Sequence, residues 1–149
     1  MLRLSKKADY ALMAMKHLAL KTDQGSASSA REIAEQYDIP IELMAKVLQR
    51  LVRSGLLASR HGTRGGYQLS RPADAISVAD VIQAIDGPLR VTACSTDDEQ
   101  CDQFAKCNVR DPLWRIKERI LDALRSCTIA EIAADGATTA VQTAVLLRS

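Results

Sequence analysis

The sequence predicts a mainly α fold: a winged helix-turn-helix domain with a two-stranded wing, a cysteine-bearing loop and a long dimerisation helix. Three observations predict it. Apolar residues make up 47% of a 149-residue chain, enough for a core, and much of that fraction is alanine and leucine, which favours helices packed on helices. A helix with a basic outer side follows a three-residue turn and precedes a glycine-rich basic hairpin. Cys94, Cys101 and Cys107 gather three of the four cysteines into one polar stretch, spaced C-x6-C-x5-C.

In chain order, residues 5 to 21, SKKADYALMAMKHLALK, read as a first helix with Leu12, Met15 and Ala19 beside Ala11 and Leu18 on a buried side. His17 lies within it; a lone histidine there reads as a packed or solvated residue and is given no role. TDQGSASS is a loop by composition, and Ser29 with Glu32 three positions on is a capping box opening a short helix through Tyr37. DIP then makes a turn in which Pro40 pre-sets the backbone for a helix running to Gly55. Its inner stripe is Met44, Val47, Leu48 and Leu51. Its outer side carries Glu42, Ala45, Lys46, Gln49, Arg50 and Arg53, which can reach base edges or phosphates.

Residues 56 to 70, LLASRHGTRGGYQLS, read as two short strands around a turn, with Leu56, Leu57, Tyr67 and Leu69 apolar. Arg60 and Arg64 flank glycines at the tip, so the hairpin reads as a wing able to touch phosphates or a minor groove. An ordinary solvated hairpin is the competing reading, while a phosphate-cradling loop fits poorly because no helix opens directly after the glycines. SVADVIQAID is another capped helix, with Ser77 and Asp80 at the box positions and Gly87-Pro88 as its stop. Beyond the cysteines, Asp111 is predicted to cap and Pro112 to open the helix LWRIKERILDALRS. Leu113, Ile116, Ile120 and Leu124 form its stripe, with Trp114 and Leu121 alongside. Little of the chain remains to cover that stripe, so the helix is predicted to pair with its copy about a two-fold axis, with packing against the first helix as the alternative. Cys127, before the capped turn TIAE, reads as a small core residue.

The domain organisation that follows is a DNA-binding domain over 1–90, a cysteine loop over 91–110, a dimerisation helix with a short cap helix over 111–135, and a tail over 136–149 expected to be partly disordered. Residues 1–71 carry twelve Lys or Arg against six acids and residues 72–149 eight against twelve, so the first part is net +6 and the second net −4. That asymmetry fits a head that binds double-stranded DNA. No apolar run is long enough to span a bilayer, and no export signal opens the chain, so a cytoplasmic, reducing setting is expected.

The cysteine loop offers soft thiolate ligands to iron-sulfur, zinc or copper(I). Zinc is the weaker reading, since no two cysteines are as close as a zinc knuckle needs and the histidines are only His17 and His61. A disulfide would strand the third thiol, and inert cysteines favour apolar neighbours over the acidic filling of Asp97, Asp98, Glu99 and Asp102.

Together MLRLSKKADYALMA, SRHGTRGGYQLS, the IDGP turn, the three-cysteine loop and the helix with Trp114 resemble the bacterial iron-sulfur-cluster-binding winged-helix repressors, the family that includes IscR and NsrR, over residues 1 to about 133. The N-terminal wording and the TIAEIA ending look most like regulators of the SUF cluster-assembly operon. The resemblance implies a homodimer on a pseudo-palindromic operator and a cluster held by Cys94, Cys101 and Cys107, 2Fe-2S before 4Fe-4S, that switches DNA binding. The chain departs from the pattern in places. The histidine that serves as fourth ligand in cluster-assembly regulators is here Arg110, which cannot ligate iron, whereas members sensing nitric oxide use an Asp in the first helix, where Asp9 stands. Asp9 from the partner subunit is the expected fourth ligand, against a capping role for it and against Glu99, Asp102 or Asp111 as ligands. A recognition-helix glutamate falls at Ala45 and the usual wing arginine at His61. The reading is thus a repressor of SUF-type iron-sulfur assembly genes. A nitric-oxide or redox sensor of the same family and a cluster carrier with no DNA role are the alternatives, and no nucleophile-base pair supports an enzyme.

Overall fold

The structure, a computed structural model, describes residues 3–90, 102, 103 and 105–135. Cys94, Cys101 and the tail over 136–149 therefore lie outside the described residues. Among the described residues, five α-helices and one hairpin are arranged in the order α1 (Lys6–Thr22), α2 (Ala30–Gln36), α3 (Ile41–Arg53), β1 (Leu57–Arg60), β2 (Gly66–Leu69), α4 (Val78–Asp86) and α5 (Arg110–Ser126), and residues 129–135 are again helical. The mainly helical, winged architecture expected from the sequence is present.

Each helix of the head has the end its sequence dictates. Ser29 with Glu32 opens α2 and Ser77 with Asp80 opens α4, each pair forming a reciprocal capping box. At the close of α2, Asp38 takes a left-handed conformation with φ 53° and Ile39 N–H donates to the Ala34 carbonyl, which satisfies an orphan carbonyl and buries Ile39 in the turn. Gly55, with φ 78°, ends α3 in the same way, and Leu56 N–H donates to the Leu51 carbonyl. Two such stops place α2 and α3 around the turn and aim the chain from α3 directly into the hairpin.

The core lies between α1, α3 and α4, with the root of the wing closing one end. Met44, Val47, Leu48 and Leu51 are the buried side of α3, as its periodicity predicts. On α1 the buried stripe is Ala8, Ala11, Ala14, Met15, Leu18 and Ala19, and Leu12 is only partly covered. Small alanines at these positions let α1 approach its neighbours closely. The strands pair antiparallel, with Leu57 opposite Leu69 and Arg60 opposite Gly66. Beyond the expected two strands, Ser28 bridges to Tyr67 through a mutual pair of backbone hydrogen bonds, so the wing is stitched to the segment preceding α2. Gly66 permits this: a Cβ there would stand 2.5 Å from the Ser28 carbonyl oxygen.

The last part of the chain corrects one expectation. Asp111 does not cap α5; the helix starts earlier, at Arg110, with Val109 in the cap position and no side-chain cap. Pro112 thereby falls in the first turn, where its missing N–H removes no helical bond, and Asp111 sits favourably near the helix N-terminus. After α5 the chain returns to α4, with Val78 N–H donating to the Cys127 carbonyl and Ile129 N–H to that of Ile76. Thr128 and Glu131 form the expected reciprocal cap after that turn. Along α5 only Leu121 is buried, while Leu113, Trp114 and Ile116 are exposed.

Candidate nucleic-acid interface and cysteine loop

The inward stripe of α3 fixes what its other side presents. Glu42, Lys46, Gln49, Arg50 and Arg53 are exposed, and Ala45 is partly covered among them. On the wing, Arg60, His61 and Arg64 are all exposed at or beside the tip. The two sets are not separate surfaces: Gln49, Arg53, Arg60 and His61 line a single cleft of about 390 Å³ between the end of α3 and the base of the hairpin. Among the described residues, no carboxylate pairs with Lys46, Arg53, Arg60 or Arg64. A continuous surface of unneutralised cations around one polar amide suits a polyanion whose grooves carry hydrogen-bonding edges. Arg50 is a partial exception. Its guanidinium donates to the Ile85 carbonyl at 2.8 Å, so one donor is used to hold α3 against the end of α4.

That same end of α4 also anchors α1. Asp86 accepts from the Ser5 hydroxyl at 2.6 Å, and Ser5 in turn caps Ala8 N–H. The IDGP turn is thus a junction: Ile85 grips the recognition helix, Asp86 grips the first helix, and the chain proceeds from it into the cysteine stretch. Asp86 was not singled out by sequence reasoning, because its partner lies eighty-one positions away. Asp9, in the first turn of α1 just beyond that cap, is exposed, and its carboxylate has no partner among the described residues.

Of the four cysteines, two are described. Cys107 is a free, partly exposed thiol shortly before α5. Cys127 differs in chemistry. Burial pushes its thiol up, and a hydrogen bond to Glu131 and the nearby Asp135 charge push the same way, so it is held as a protonated thiol. It is partly covered rather than fully in the core. No three metal-ligating side chains converge among the described residues. Arg110 leans on Asp111 at 3.5 Å.

His17, given no role from sequence, joins three elements. Its Nδ1 lies 3.1 Å from the Tyr37 hydroxyl at the end of α2, and its Nε2 lies 3.2 Å from the hydroxyl of buried Ser28, the residue that stitches the wing. Burial and, secondarily, the Lys21 charge hold its pKa below 6.5, against a smaller opposing effect of Glu32. The unfolded chain therefore takes up a proton more readily than the folded one. Stability should be complete above the ordinary imidazole range and fall as pH drops through it. Thermal melts from pH 8 to pH 5 should show this decline, and His17→Gln should flatten it.

Residues 4–135 match the model of the Rrf2 family, described as iron-dependent transcriptional regulators. The chain belongs to the Rrf2 family. It is 38% identical over 132 residues to the HTH-type transcriptional regulator IscR of Erwinia tasmaniensis, spanning 88% of this chain and 78% of that protein. The corresponding regulator of Yersinia enterocolitica is 36% identical, with 88% and 79% covered. Among solved structures, CymR, the global cysteine regulator of B. subtilis, superposes with a TM-score of 0.75 at 29% identity, covering 90% of this chain and 98% of that one. T. potens IscR superposes with a TM-score of 0.70 at 27% identity, covering 91% and 88%. This Rrf2 protein is accordingly a DNA-binding transcriptional regulator of the winged-helix type, not an enzyme, and no helix among its described residues is long and apolar enough to cross a membrane.

Proposed function

We propose that this Rrf2 protein is a homodimeric, cytoplasmic repressor that binds a pseudo-palindromic operator and whose occupancy of DNA is governed by an iron-sulfur cluster, 2Fe-2S by preference, with SUF-type cluster-assembly genes as its targets. The observation that carries the reading is the junction at Ile85 and Asp86, which ties the recognition helix and α1 to the strand of chain leading into three clustered thiols. Cys94 follows Asp86 by only eight positions in the sequence, so whatever is bound at the loop would be tied by a short length of chain to the groups that set the attitude of α3.

The donor set fits a cluster. Cys107 is free and accessible, Cys94 and Cys101 complete three soft thiolates, and protonated Cys127 is left out. Asp9, unpaired in the first turn of α1, would supply the fourth attachment from the partner subunit. A cluster so held would supply a soft, labile tether between loop and head. The rest of the work falls to the chain: Lys46 and Gln49 read the major groove, while Arg53, Arg60, His61 and Arg64 contact backbone or minor groove. Glu42, Ala45 and Arg50 complete the recognition face.

Duplex binding tests the reading. Arg64→Ala should weaken binding to all sequences about alike and lower the salt slope by about one, whereas Gln49→Ala should relax discrimination between operator and competitor DNA. Unchanged affinity and specificity in both variants would remove these residues from the interface.

A further inference from the structure

Lys7 has no place in the recognition helix or wing, yet its position is unusual. It occupies the first turn of α1 beside Lys6, directly after the Ser5 cap, where a cation opposes the helix dipole. No carboxylate pairs with it among the described residues. Packing does not explain it either, since it is exposed while its neighbour Ala8 is fully buried. What Lys7 does is wall a groove. With Lys46, Gln49, Arg50 and Arg53 it lines a depression of about 340 Å³ floored by Leu43, Val47 and Ile85. This groove lies on the side of α3 that faces α1 and α4, whereas the wing cleft, which shares Gln49 and Arg53, lies on the other. Arg50, fastened to the Ile85 carbonyl, gives the groove a fixed cationic wall.

We propose that this groove takes the sugar-phosphate backbone flanking the major groove entered by α3, with Lys7 as a phosphate contact contributed by α1. A helix seated in a major groove has one phosphate strand on each side. The wing meets one; Lys7 and Arg50 meet the other. The inference rests on the DNA-binding reading above and adds a second, sequence-independent clamp to it. Because α1 is also joined to Asp86, the clamp moves with the junction that leads to the cysteine loop.

The experiment uses the full chain with Lys7→Ala, Lys7→Glu and Lys7→Arg, titrated against the operator and a scrambled duplex over a range of salt, with melting temperature measured in parallel. Lys7→Ala should bind both duplexes about five- to tenfold more weakly, lose about one unit of salt slope and keep its operator preference. Lys7→Glu should bind more weakly still while melting no lower than the wild type, because an acid suits a helix N-terminus. Lys7→Arg should restore affinity. Wild-type affinity and slope in Lys7→Ala, with the wild type binding normally, would overturn the clamp alone. Loss of affinity together with a lowered melting temperature in Lys7→Glu would overturn it in favour of a structural lysine. A wild type that binds no duplex would overturn the DNA-binding reading as well.

Discussion

Cys107→Ala should abolish the visible absorbance of anaerobically purified protein entirely, and Cys94→Ala and Cys101→Ala should do the same, while Cys127→Ala keeps its colour. The contrast follows from the environments of the thiols. A ligand must be a thiolate, and Cys127 is burdened by desolvation, by a hydrogen bond to Glu131 and by the neighbouring Asp135 charge, all of which favour its protonated form. Cys107 is free and partly open to solvent. With one thiolate removed from three, the loop retains too few soft ligands to hold iron and sulfide. Asp9→Ala should act differently: a carboxylate is a harder and weaker ligand for iron than thiolate, so its loss should shorten cluster lifetime and change operator affinity without removing the initial spectrum. Iron and sulfide analysis of each variant decides the matter. Colour retained in Cys101→Ala would remove that residue from the ligand set, and an unchanged lifetime and affinity in Asp9→Ala would place both the fourth ligand and the switch elsewhere.

Much of the head was legible because its signals are local. The capping pairs Ser29 with Glu32 and Ser77 with Asp80, the stop at Gly55 and the four-residue inner stripe of α3 each act within one or two turns of their own residues. The glycine-rich wing was equally readable. Three things were not. Asp86 and Ser5 meet only after α4 has packed on α1, and no spacing in the sequence announces a contact across eighty-one positions. Ser28 looked like loop filler, yet its backbone pairs with Tyr67 and its hydroxyl meets His17, because the wing folds back far enough for Gly66 to touch it. Asp111-Pro112 resembled a cap and first position, but nothing in the local code forbids starting the helix earlier when Pro112 still falls among residues that need no helical N–H bond. On the candidate interface, the sequence placed the right face of α3 outward and missed that Arg50 is partly committed to Ile85 and that Lys7 shares its groove.

If the proposed dimer forms through α5, Ile116→Glu should convert it to a monomer and reduce operator affinity by about two to four orders of magnitude, while leaving the melting of the head nearly unchanged. Ile116 is 50% exposed, and Leu113 and Trp114, at 39% each, continue the same apolar surface along α5. The Lys117 ammonium lies over the Trp114 ring at 4.9 Å, covering part of it while keeping its charge in water. Of the helix only Leu121 is fully buried, so a glutamate in place of this half-exposed isoleucine removes little buried contact within the protomer. In a helix pair, by contrast, the same substitution would bring two carboxylates into an apolar seam, and burying an unpaired charge is strongly unfavourable. The effect on DNA follows from linkage between half-sites. In the proposed dimer, two heads joined through α5 would bind the second half-site at the effective concentration set by their linkage, and separated heads would lose that advantage, worth about 10²–10⁴ in affinity. Binding to a single half-site should therefore be little altered, which separates loss of dimerisation from damage to the recognition surface. Sedimentation velocity at micromolar concentration, melting, and titration against whole and half operators measure the three quantities. A stable dimer in the Ile116→Glu variant would show that α5 is not the two-fold contact, and a melting temperature lowered at unchanged assembly would show instead that this face packs on its own head.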